Sequence, residues 1–373
     1  MCSLRVRCCL VATLSMLGLL TCAAQEGING EATYIPFSVP GALGTYPMSI
    51  NASMTVTGYY YISSTTTGGF VREADGTITT FSVPGSLWTE PESINAAGDI
   101  VGFFELVAGV PHSFLRYADG HIVRFDPPCS AGPPCNLSVP VGINAFGEVV
   151  GNYPFLAAGA PAGFSRSRAG VFTMIRSNLG ADYGTVATGI DASGSVVGHW
   201  TNSSGEEVGF LSHPDGFWEP FAVPLAADQI NCISATIPDS INAAGTIAGW
   251  YLTYTDSCST KITGGFVLSP DGVFTLFQPP GTLVTLPSFD YTSTAPHWIS
   301  IDQARDITGS NKDTDGAQHG FVRNSWGTIT SFDPPRGGQT TPSSINDSGV
   351  IAGSYFYDWN TQIAQGFLRV PHP

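Results

Sequence analysis

Six residues in the C-terminal third, "NKDTDG" (Asn311 to Gly316), place oxygen-bearing side chains at the first, third and fifth positions, as a calcium loop begins. Such a loop closes on a bidentate glutamate at the twelfth place. Here that place is Val322, so the stretch reads as a solvated turn. Nucleophilic and phosphate chemistry find no foothold: the chain has no G-x-S-x-G elbow, no H-E-x-x-H pair and no glycine-rich phosphate loop. Seven histidines show no metal-ligand spacing, and no metal or cofactor is expected. A carboxylate pair for glycoside or lyase chemistry would have to be gathered from distant segments.

Aromatic residues offer binding rather than reaction. Tyr60, Phe104, Tyr153, Trp200, Tyr251 and Tyr355 occupy one place in a repeated segment, with Asn311 at the same place once more. Around a common mouth such rings could stack on a sugar or a peptide. Packing of one repeat on the next is the preferred reading, because the feature recurs in nearly every unit. Tyr291, His297 and Trp298 lie in the longest insertion and do not recur, which makes them candidates for a specific contact.

The repeat must position all of these. "SINAAGDIVGFF" (93–104) returns in close variants at Asn51, Asn95, Asn144, Asp191, Asn242, Asp302 and Asn346, at steps of 44 to 60 residues. A glycine follows each marker by seven residues, and later a small residue precedes Phe70, Phe114, Phe164, Phe210, Phe266, Phe321 or Phe367. In "INAAG" the Asn opens a type I turn and the glycine takes the left-handed position that closes a bulged hairpin. Asp serves the same purpose, so the marker reads as structural. Met54 and Arg305 stand where that glycine belongs, and those turns should be strained or differently shaped. The glycine inside the next strand marks close approach by another backbone.

Each unit then holds four short strands, through "IN", "IVG", "GF" and "ITTFSV". Four-stranded repeats of this length describe propeller blades. The expectation is an all-β, seven-bladed β-propeller filling residues 25–373 as one domain. The last unit stops after its third strand, while "TYIPFSVPG" near the N-terminus matches only a fourth strand. The N-terminal strand should therefore complete the last blade and close the ring.

With its "HSF" (112–114), "HGF" (319–321) and seven "IN-x-x-G-x-x-x-G"-like strands, the chain resembles the HAF-repeat family of extracellular bacterial proteins. The resemblance implies an exported, propeller-like repeat protein and assigns no activity. Five units lack the histidine, so His112 and His319 read as incidental.

Arg5, Arg7, an apolar run and "TCAAQ" make residues 1–24 a secretory signal. The alternative is a lipid anchor at Cys22. The formal charge of −15 becomes more acidic still when that segment leaves, which disfavours nucleic acid and anionic membranes. No other stretch is apolar enough to span a membrane. Cys129, Cys135, Cys232 and Cys258 remain for an oxidising compartment, favouring two disulfides of undetermined pairing over a zinc site. Variable loops collect at the sheet ends opposite the uniform "NxxG" and "DG" turns, and this is where binding is expected. The functional expectation is a secreted, monomeric, non-catalytic binding or scaffolding module for glycan or extracellular protein. The alternative is an extracellular polysaccharide-active hydrolase or lyase.

Overall fold

The computed structural model describes residues 25–26, 32–128, 137–154, 161–177, 183–224, 234–255, 260–279, 299–313, 315–356 and 363–372. Cys129, Cys135, Cys232, Cys258, the proposed signal at 1–24, Tyr291, His297 and Trp298 lie outside them. All regular structure among the described residues is β. One unit runs Trp88–Ile94, Ile100–Glu105, Pro111–Arg116 and Ile122–Phe125, each strand antiparallel to the last. The sheets comprise four of four strands, one of five and one of eight. The eight-stranded sheet is two four-strand runs joined by a parallel contact of Glu207 with Ala235. In the five-stranded sheet, Ala32–Phe37 pairs antiparallel with Ala364–Pro371, Pro36 opposite Phe367. The fourth strand missing from the last unit is thus supplied from near the N-terminus.

The repeated asparagine does more than open its turn. Asn95 Oδ1 accepts from the backbone N–H of Ala97 and Asp99, the local bonding expected of an Asx residue. Its Nδ2 meanwhile donates across to the carbonyl of Asn144 at 3.2 Å. The same bond joins Asn51 to Asn95, Asn144 to Asp191, Asn242 to Asp302, and Asn346 back to Asn51. A carboxylate has no proton to give, so Asp191 and Asp302 cap their turns without this donation. Met54 and Arg305 sit at φ +62° and +69°, in the left-handed region occupied elsewhere by glycine. The turn around Met54 keeps the common hydrogen bonds, Met54 N–H to Asn51 O and Asn51 N–H to Thr55 O. Those turns are strained rather than differently shaped. In the second strand, a Cβ on Gly198 would fall 2.0 Å from the Val186 carbonyl oxygen, which explains the strand glycine.

Between sheets the core is aromatic. Phe70, Phe114, Phe210, Phe266 and Phe367 are fully buried, each contributing about 2–3 kcal/mol by leaving water. The small residue before this phenylalanine makes room for a ring from the fourth strand: a Cβ on Gly69 would meet Phe81 at 2.6 Å. An arginine ending the third strand then reaches the preceding sheet. Arg72 lies over Phe37, Arg116 over Phe81, Arg166 over Phe125, Arg323 over Phe277 and Arg369 over Phe332, all at about 5 Å. Each such cation–π contact is worth about 0.5–1 kcal/mol or more when desolvated. The first strand of each sheet touches that of the next, and Gly338–Ile345 touches Thr45–Ile50 in the same way.

Candidate functional site

The recurring aromatics stand at the end of the second strand, and most are buried. Phe104 packs with Val71, Val83 and Phe114. Tyr153 packs with Val101, Val149 and Phe164. Trp200 joins Ile175 and Phe210, and Tyr251 joins Val223 and Phe266. Tyr60 is half-buried, its ring over Gly68. Asn311 is buried, and its Oδ1 has no hydrogen-bond partner among the described residues. Asp313 of the calcium-like stretch accepts from the N–H of Asp315 and Ala317, so its carboxylate shapes a turn.

Tyr355, also buried, lines a cavity of about 260 Å³. The other walls are Tyr34 and Pro36 of the N-terminal strand, Pro334, Pro335 and Arg336 of the loop entering the last sheet, and Gln365 and Phe367. Sequence folds this corner through two features. The pairing of Ala32–Phe37 with Ala364–Pro371 brings Tyr34 and Pro36 beside Gln365 and Phe367. Gly337 lets the loop backbone lie on the Tyr355 ring, where a Cβ would meet Cδ2 at 2.7 Å. Tyr355 donates its hydroxyl to Gln365 Oε1 at 2.6 Å. The site combines flat apolar walls with an amide and a guanidinium.

His112 and His319 share a task that the sequence reading missed. Six residues before most marker positions stands a threonine whose hydroxyl accepts a backbone N–H from the preceding fourth strand's exit. Thr45 takes it from Val39, Thr89 from Val83, Thr185 from Ser177 and Thr236 from Val223. In the two "FDPP" exits, Pro127 and Pro334 stand at that donor position and have no N–H to give. Ser138 and Thr340 donate instead to Asp126 and Asp333. The other oxygen of each carboxylate meets His112 Nδ1 at 2.8 Å and His319 Nδ1 at 2.6 Å. Burial alone would lower His319, but bonds to Asp333 and Asp313 hold it above the ordinary histidine range. The signal was present: both "HxF" units, and no others, are followed fourteen residues later by aspartate in "FDPP".

A second cluster lies where Thr45–Ile50 and Val56–Ser63 face Trp88–Ile94. Tyr46 stacks on Tyr59 with centroids 4.9 Å apart, and Tyr61 meets both edge-on. Glu90 and Glu92 are buried beside them. Burial pushes the Glu90 carboxyl up to about 7, against a hydrogen bond from Thr67 and with Glu105 adding to the rise. Burial, then the charge of Glu90, raises Glu92 well above the carboxylate range. Tyr59 is held protonated by burial and by the nearby Glu90.

No family model and no curated protein matches the chain in sequence. Solved structures do match in shape. The β-propeller domain of the Trilobed protease from Pyrococcus furiosus aligns over 88% of this chain and 97% of its own, with TM-score 0.54 and 7% identity. A prolyl endopeptidase aligns over 84% of this chain with TM-score 0.56 and 8% identity. The chain spans about half the length of that enzyme, 47%. The fold is therefore that of the β-propellers: four-stranded antiparallel sheets packed face to face.

Proposed function

We propose that the chain is an exported seven-bladed propeller, closed by its N-terminal strand, that works as a non-catalytic binding module for glycan or extracellular protein. The run of contacts between first strands and the bond from Asn346 to Asn51 support the ring. The cavity carries the functional reading: tyrosine, phenylalanine and proline walls with one amide and one guanidinium suit recognition. The chain's acidity accords with work outside the cell and away from nucleic acid. An array of glycans and extracellular proteins, probed with the purified mature chain beside hydrolase and lyase assays, tests this. Binding without turnover is the expected result; turnover without binding contradicts it.

A second reading has its own observation. Glu90 held near 7 next to Glu92 is the kind of perturbed carboxyl pair an acid–base enzyme uses. Under that reading the same assays show polysaccharide cleavage, lost in Glu90→Gln.

A further inference from the structure

We propose that the cavity between the last sheet and the loop leading into it binds a small carboxylate with a flat apolar body. The inference rests on the binding-module reading and adds a ligand class to it. Tyr34, Pro36, Pro334, Pro335 and Phe367 supply flat apolar walls that accept an aromatic ring. The polar groups are donors. Gln365 Oε1 is taken by the Tyr355 hydroxyl, which leaves the Nε2 hydrogens to give. Arg336 makes no hydrogen bond or ion pair among the described residues. An occupant satisfying both must present acceptors and negative charge, which a carboxylate does in bidentate fashion. Arg72, Arg116, Arg166, Arg323 and Arg369 are each seated over an aromatic ring, whereas no such ring contact holds Arg336 among the described residues.

The backbone gives independent support. Three exits of the fourth strand share one tight turn: Ala42 N–H bonds Val39 O, Ser86 N–H bonds Val83 O, and Gly337 N–H bonds Pro334 O. The third place of that turn needs positive φ, and the first two turns fill it with Gly41 and Gly85, both at φ +79°. In "PPRG" the place belongs to Arg336, at φ +62°. An arginine there costs about 1 kcal/mol or more against the glycine of its sister turns. The strained residue is the one whose side chain joins the cavity wall. Strain of this kind clusters at ligand sites, and unlike the strained Met54 and Arg305 of the marker turns, Arg336 lines a cavity.

The same chemistry could come from a free aromatic acid or from the terminal carboxyl of a polypeptide ending in an aromatic residue. Titration calorimetry of the full mature chain with phenylacetate, phenylacetamide and a short peptide ending in phenylalanine separates the cases. Phenylacetate should bind at least about tenfold more tightly than its uncharged amide, as loss of one charge-assisted pair implies. A peptide that outcompetes phenylacetate names a polypeptide terminus as the source; the reverse order names a free acid. Arg336→Gly is the decisive variant because it restores the sister-turn residue. Its thermal midpoint should stay level or rise while phenylacetate binding falls about tenfold or more. Equal binding by Arg336→Gly, or no binding of either carboxylate by the parent chain, overturns the proposal. The glycan and protein array still judges the broader reading in that event.

Discussion

Glu90 and Arg305 illustrate what single residues cost this fold. A carboxyl near 7 in the folded chain and near 4.5 when unfolded takes up a proton on folding at intermediate pH. Its charge therefore opposes folding above about pH 7 and not below about 4.5, so stability from this group falls as pH rises. Glu90→Gln should add about 2 kcal/mol at pH 8 and nothing at pH 4, read from denaturant midpoints. Arg305 pays in backbone conformation. Arg305→Gly should add about 0.5–1 kcal/mol, because left-handed φ is free for glycine while the unfolded chain gains some entropy. Only one of the two misfits was visible before any fold: Arg305 breaks the turn rule in the sequence. Glu90 could not be picked out, because its raised pKa comes from strands of two units that meet only after folding.

Among elements, the asparagine turn is the unit that joins neighbours. Its local half, Oδ1 on its own turn, follows from "INxxG" and was legible. Its outward half, Nδ2 to the next unit's carbonyl, depends on how units pack and was not. Asp302 shows the consequence of losing the donor. Burial raises its carboxyl to about 6, partly offset by the Asp306 N–H, with Asp306 and Asp347 adding repulsion. Asp302→Asn should raise stability at pH 8 by about 1–2 kcal/mol and by less at pH 5, where the native acid is already protonated. Asn95→Asp should do the opposite by a similar amount. Thermal melts of the two variants across pH check both. The histidine–aspartate clamps in the "HxF" and "FDPP" units obey the same logic: proline removed a donor, and the pair replaces it. Reading each "HxF" alone concealed this, since the partner lies one strand away.

For the molecule as a whole, periodicity carried most of the reading: the strand count per unit, the face-to-face sheets and the terminal strand's pairing all followed from three repeating markers. The cavity did not, because its walls come from strands far apart in sequence and from an exit turn that places Arg336 where Gly41 and Gly85 stand in two other exits. The recurring aromatics mostly lie in the packing between sheets, the reading their recurrence favoured, and Tyr355 alone among them lines that cavity. Both the pocket and the proposed ring depend on the N-terminal strand staying zipped to the last sheet. Amide hydrogen exchange measures that directly. The account predicts that the amides of Ala32–Phe37 that face Ala364–Pro371 exchange as slowly as those of Ile351–Phe356 in the same sheet. Rapid exchange along Ala32–Phe37, with Ile351–Phe356 protected, would contradict it.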